Sequence, residues 1–196
     1  MSSRWSRALG FLGLDGGAAS QAGADGVQRS EIRVGQGFDV HRFSDDPERV
    51  LVLGGVVFTG EPGLVGHSDA DVISHACADA LLGAAGLGDI GMHFPDTDPK
   101  WKGADSLTLL RHVMSLLAAD GWVVNNIDTA VICESPKLAP QRDNIQRILT
   151  GVVGAPVTVK GNRAERLGAI GRTEGIVCFA TALIQRESGT RESSTP

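Results

Sequence analysis

His67–Gly86, HSDADVISHACADALLGAAG, is where the hydrophobic period of this chain changes, and it settles the fold class. Val72, Ile73, Ala76, Cys77, Ala80 and Leu81 recur at helical spacing and predict one buried stripe. Ser68 or Asp69 is placed to cap the start of this helix, and Gly86 to close it. Asp71, His75 and Asp79 stand at i, i+4 and i+8, which aligns them as a polar stripe beside the apolar one.

Upstream, Ile32 to His41 alternates like a strand and ends in Gly37–His41, GFDVH. Residues two apart share a strand face, so Asp39 and His41 project side by side, opposite Phe38 and Val40. Alone, the pair describes an edge strand with one wet face. With His75 it becomes a two-His, one-carboxylate set, and three protein ligands leave a fourth position open, as a catalytic zinc requires. A hairpin follows in RVLVLGGVVF, with Gly54-Gly55 as its turn.

Downstream, a second helix is expected from Ser106 to Ala119, burying Leu107, Leu110, Val113, Met114 and Leu117 and stopped by Gly121. WVVNNIDTAVICES reads as a long strand. Pro136 and Pro140 introduce a third helix to about Gly151, and PVTVKG and GIVCFATALIQ add two strands. The order predicts an α+β single domain, residues 32–186, with a mixed open sheet covered by helices on one face. The other face is apolar and would bury against copies of the same chain. Residues 1–31 and 187–196 lack a sustained period and are expected to be disordered extensions.

The 196 residues are 42% hydrophobic with net charge −5, which gives no electrostatic footprint for nucleic acid. No run approaches the roughly 18 apolar residues of a membrane span. Cys77, Cys133 and Cys178 lie far apart without metal or redox spacing, so they are expected as buried thiols. Together these features predict a cytoplasmic protein, with a targeting role of the N-terminal extension left open.

Three further motifs bear on chemistry. His67 and Ser68 precede the first helix, where free N–H groups and the helix dipole favour an anion, although Ser68 with Asp71 also describes an ordinary capping box. GDIGMHFPDTDPKWKG gathers Asp89, Asp96 and Asp98 in a loop suited to sugar hydroxyls or a metal, or to plain turns. RVGQGFD fails as a dinucleotide fingerprint, having no third glycine and no following helix. His93, in a loop, and His112, on the polar side of a helix, are set aside.

Taken together, GFDVHRF, the run from Gly66 to Ser106, ESPKLAP and ERLGAIGRTEGI resemble the 2-C-methyl-D-erythritol 2,4-cyclodiphosphate synthase family from about Ile32 to Arg186. That resemblance implies a homotrimer with active sites between subunits. It implies a small-molecule substrate, 4-diphosphocytidyl-2-C-methyl-D-erythritol 2-phosphate, closed to the cyclic diphosphate with release of CMP in the non-mevalonate isoprenoid pathway. It implies zinc on Asp39, His41 and His75, and magnesium or manganese on Glu165 at the substrate phosphates. His67 would steady the transition state and contact phosphate with Ser68. Asp89 and Gly91 would hold the ribose, and Phe94 to Asp98, including Asp96, would surround the erythritol. Cys133 to Ala139, centred on Lys137, would receive cytosine and phosphate, and Arg172 with Glu174 would leave an anion site at the trimer axis.

The chain departs from the family where Asn162-Arg163-Ala164 replaces a common Thr run, placing Arg163 at a phosphate-contacting position unless it turns to solvent or to Glu174. Two rival readings follow: a trimeric nucleotide-binding protein without turnover, and a metal-dependent phosphohydrolase using water as nucleophile.

Overall fold

The structure, a computed structural model, describes residues 30–187. Its elements are β1 (Ser30–Arg42), β2 (Val50–Leu53), β3 (Val56–Pro62), α1 (Val72–Ala85), α2 (Ile90–His93), a 3-10 turn (Pro99–Trp101), α3 (Ser106–Ala119), β4 (Val123–Ile132), α4 (Arg142–Val153), β5 (Val157–Asn162), α5 (Gly168–Gly171) and β6 (Gly175–Glu187). The expected mixed sheet has strand order β1-β6-β4-β5, with β4 and β5 parallel and the other pairs antiparallel. The hairpin forms a separate two-stranded sheet. Ser30 and Glu31 belong to β1 and Glu187 to β6; the rest of the two expected extensions lies outside the described residues. No described helix is long and apolar enough to cross a membrane.

Alternation along β1 sends Gly35, Gly37, Asp39 and His41 toward α1, and Ile32, Val34, Phe38 and Val40 away from it. The two glycines determine how close the helix comes. A Cβ on Gly37 would lie 2.0 Å from the Ala76 carbonyl oxygen, and one on Gly35 would lie 2.0 Å from that of Ala80. Opposite them the helix presents Ala76, Ala80 and Ala84, all buried. Two small surfaces thus bring backbone against backbone, and the larger Ile73, Cys77 and Leu81 fill the core shared with α3 and β6.

Helix α1 is not capped by Ser68 or Asp69. Its N-cap is Asp71, which accepts from the Ile73 and Ser74 N–H groups, and Gly86 closes the other end in a left-handed conformation as expected. The Ser68–Asp71 capping box does not form. Nor does Asp71 share a polar stripe with His75, because the hairpin turn lies over it and buries it fully. Its carboxylate accepts from Gly54 N–H (2.7 Å), Gly55 N–H (2.8 Å) and the Ser74 hydroxyl (2.7 Å). Gly54 and Gly55 adopt φ of 58° and 74°, the left-handed pair that a two-residue hairpin turn needs.

In α3, Leu109, Leu110, Val113 and Leu117 are buried, whereas Leu107 and Met114 are only partly covered. The third long helix begins at Arg142, two residues after Pro140, with no side-chain cap at Gln141. His93 lies in α2 rather than a loop and approaches the Leu87 carbonyl at 2.9 Å. All three cysteines are buried free thiols, as expected.

Replacing Asp71 by Ala strands buried N–H groups on both the hairpin and the helix. Unsatisfied buried donors cost about 1–3 kcal/mol each, so we expect Asp71→Ala to lower unfolding free energy by about 3 kcal/mol or more in a denaturant titration. Asp71→Asn, which keeps one acceptor oxygen, is expected to lose less.

Candidate active site

The close docking of α1 carries His75 to the end of β1. Asp39 Oδ2 lies 3.0 Å from His41 Nε2 and 3.0 Å from His75 Nδ1, and the two ring nitrogens are 3.4 Å apart. These three are the group of metal-binding type among the described residues, their ligand atoms all within 4.8 Å of one another.

Hydrogen bonds on the far side of each ring fix what faces the centre. His41 Nδ1 meets the Val65 carbonyl at 2.7 Å; a carbonyl only accepts, so Nδ1 carries the proton and neutral His41 turns a lone pair inward. Gly66 leaves room for this ring, since a Cβ there would lie 3.2 Å from His41 Cε1. His75 Nε2 lies 2.8 Å from Ser106 Oγ and 3.1 Å from Ser68 Oγ. A carboxylate and two imidazole nitrogens therefore converge on one point, a donor set that fits a divalent cation. Without one, a proton must serve. Burial lowers the His41 pKa, but the hydrogen bond and charge of Asp39 outweigh it and raise it. Burial likewise works to raise Asp39, and the two imidazoles hold it down at about 2.

Around this centre lies a cavity of about 370 Å³ lined by Asp39, His41, His67, Ser68, His75, Gly91, Phe94 and Asp96, with Trp101 on its wall. Eight of the residues singled out in the sequence thus meet in one place. Asp89 and Asp98 act one step back. Asp89 caps α2, accepting from Met92 N–H, while Asp98 caps the 3-10 turn and its carbonyl sits 3.2 Å from His67 Nε2. Phe94 is largely buried, stacked edge-on against Trp101 with ring centres 4.9 Å apart and packed against His112 at 5.6 Å.

A second cavity, about 340 Å³, is lined by Cys133, Glu134, Pro136, Lys137, Leu138, Ala139, Arg142, Asn162 and Arg163, and shares no residue with the first. Arg163 does not pair with Glu174, which is taken by Arg172 at 2.7 Å. It forks onto Glu134 Oε2 through Nε (3.1 Å) and NH2 (2.8 Å), while Glu134 Oε1 accepts the Arg166 N–H (3.0 Å). That N–H bond and the Arg163 fork lower the Glu134 pKa. Glu134 thereby ties down a loop in which Glu165 and Arg166 both take left-handed φ, 52° and 63°, a conformation that side chains adopt only when their surroundings impose it. Glu165 and Arg172 line neither cavity.

The sheet explains the placing of both. β1, β4 and β5 run in one direction, since each of β1 and β4 is antiparallel to β6 and β5 is parallel to β4; His41 pairs with Ile176 and Ile132 with Val177. Both cavities thus open at one end of the sheet, with β6 between their strands. Sequence reasoning gave no site role to Val65, Asp69, Ser106 and Arg142, and took in Glu134 only as part of the Cys133 to Ala139 pocket. Asp69, Glu134 and Ser106 stood inside motifs already quoted, and their partners lie 37, 29 and 31 residues away.

The YgbB family matches residues 32–185. The 2-C-methyl-D-erythritol 2,4-cyclodiphosphate synthase of Pseudomonas aeruginosa strain LESB58 is 50% identical over 156 residues, covering 78% of this chain and 98% of its own. The bifunctional enzyme IspD/IspF of Anaeromyxobacter dehalogenans is 48% identical over 176 residues, 85% of this chain and 45% of its own, so this chain spans under half the length of that relative. Among solved structures, the bifunctional IspDF from Campylobacter jejuni superposes with a TM-score of 0.77 at 40% identity, covering 83% of this chain and 44% of that one. IspF of Plasmodium falciparum, in a CDP complex, superposes at 0.69 with 35% identity, covering 80% and 97%. The chain therefore belongs to the YgbB family, to which it contributes the same fold and a nearly end-to-end match to the single-activity cyclodiphosphate synthases.

Proposed function

We infer that this chain, a cyclodiphosphate synthase by family, runs the reaction of 4-diphosphocytidyl-2-C-methyl-D-erythritol 2-phosphate with two half-sites that meet between copies of the chain. An oxygen of the 2-phosphate forms a bond to the β-phosphorus, the bond from the β-phosphorus to the α,β-bridging oxygen breaks, and CMP leaves with that oxygen and its electron pair. The product is the 2,4-cyclic diphosphate of the non-mevalonate route to isoprenoids. The observation that carries this reading is the convergence of Asp39, His41 and His75 around one point.

Asp39, His41 and His75 would hold zinc, which when bound supplies a Lewis acid for phosphate oxygens. Beside it, His67 and the Ser68 hydroxyl line the cavity where a phosphate would lie. Asp89 and Gly91 are assigned to the ribose, and Phe94, Asp96 and Asp98 to the erythritol wall. The second half-site takes the cytidyl group: Lys137, Asn162 and Arg163 supply donors to its phosphates, and Glu165, held by the Glu134-anchored loop, would carry magnesium or manganese. Phosphoryl transfer depends mainly on positioning and charge neutralisation, so this set needs no covalent nucleophile.

We take the assembly to be a homotrimer, and two observations support association of copies. The two cavities share no residue in one chain, and the sheet face away from the helices leaves Ile32 (62% exposed), Val34 (66%), Phe38 (49%) and Val40 (47%) uncovered. An apolar face of this kind marks an association surface. Arg172 and Glu174, exposed and paired, are placed at the trimer axis.

The decisive experiment is phosphorus NMR of the product formed from the cytidyl substrate with purified protein and magnesium. Cyclic diphosphate with CMP is expected; a linear product would select a hydrolase, and no turnover a binding protein. We expect His41→Ala and His75→Ala each to lose zinc, measured by elemental analysis, and to lower turnover more than about a hundredfold, while sedimentation still reports a trimer. Stoichiometric zinc in both would refute the site. Glu165→Gln is expected to keep zinc but to shift the magnesium titration to higher concentration, because it removes a full carboxylate charge.

A further inference from the structure

We propose that Asp69 and Ser106 act as positioning residues that keep the proton of His75 on Nε2, so that its Nδ1 lone pair faces Asp39 and His41 and the Ser68 hydroxyl proton is left for a bound phosphate. The inference rests on the reading of Asp39, His41 and His75 as a metal site. The proton accounting is local. The Ser106 hydroxyl donates to Asp69 Oδ1, and a carboxylate is acceptor only, so this proton is committed. Ser106 Oγ, 2.8 Å from His75 Nε2, can then take part only as an acceptor, which puts the imidazole proton on Nε2. Nδ1 is deprotonated in the neutral ring and points at Asp39 Oδ2, 3.0 Å away.

Ser68 completes the account. Its Oγ accepts the Ala70 N–H at 3.1 Å, and its other neighbour, His75 Nε2 at 3.1 Å, is an N–H in this arrangement. The Ser68 hydroxyl proton thus has no acceptor in the contact and faces the cavity that Ser68 lines. Ser106 is 1% exposed and opens α3, so the hydroxyl is held in place by the helix start. Asp69 is fixed as well: it accepts the Ser106 N–H (3.1 Å) and the Asp71 N–H (3.2 Å), and its own N–H donates to the Ala104 carbonyl. Ligand histidines held through the second nitrogen by a fixed acceptor typically lose ten- to a hundredfold in metal affinity when that acceptor is removed.

The rival account is that Asp69 only ties the segment before α1 to the start of α3. Zinc affinity by chelator competition separates the two, measured on metal-free protein for the unaltered chain, Ser106→Ala, Ser106→Thr and Asp69→Asn. Nitrogen-15 spectra of histidine-labelled, metal-free unaltered protein supply an independent readout. We expect Ser106→Ala and Asp69→Asn to bind zinc about ten- to a hundredfold more weakly, Ser106→Thr to retain most of the affinity, and His75 to show its proton on Nε2. Unchanged affinity in Ser106→Ala and Asp69→Asn, or a His75 proton on Nδ1, overturns the proposal. If the variants do not fold, the spectra of the unaltered protein decide alone. Unaltered protein that takes up no zinc instead overturns the metal reading itself.

Discussion

The contact between the backbones of β1 and α1 is the constraint from which the rest follows. Gly35 and Gly37 on the strand and Ala76, Ala80 and Ala84 on the helix leave no side chain thicker than a methyl between the two elements. Packing at this distance fixes the helix axially as well as laterally, because carbonyl oxygens on one side stand where a Cβ would be on the other. One residue before Ala76 the helix delivers His75 to the end of the strand, and two residues beyond Gly37 the same strand face delivers Asp39. The metal-type cluster is therefore an extension of the core packing rather than an addition to a loop.

Asp71 performs the complementary task at the start of the helix. Its carboxyl group gathers N–H groups from the hairpin turn and from the first turn of α1, so the helix start and the hairpin are joined at one buried side chain. Glu134 does the same on a smaller scale for the second cavity, holding Arg163 and the Arg166 N–H with its two oxygens. In both places a buried or half-buried carboxylate organises backbone, and the residues with direct chemistry stand beside it.

Periodicity made the main elements and the metal trio legible, since i, i+2 on a strand and i, i+4 on a helix are local rules. It also misled at Asp71. Helical spacing put that residue on a face with His75, but spacing carries no information about the hairpin folded over it, 16 residues earlier. The fold class followed from the order of strand-like and helix-like periods, while the separation of the hairpin into its own sheet depends on pairing that no local pattern encodes. Ser106 was read as a helix start and nothing more, because its contact with His75 spans 31 residues. Phe94 illustrates a different ambiguity: it lines the first cavity and is also buried against Trp101, so packing alone would account for it.

The pairing of β1 with β6 runs from Ser30 opposite Glu187 to Arg42 opposite Gly175, and it joins the first described strand to the last. During synthesis, β1 emerges long before its partner strand exists, carrying two of the three residues of the metal-type cluster and the uncovered residues Ile32, Val34, Phe38 and Val40. Loop closure over nearly the whole domain must precede that pairing, which places it late in folding. The nascent chain therefore carries an unpaired strand with an apolar face until β6 has been made, and Ile32–Val40 stays open to non-native strand pairing throughout that interval.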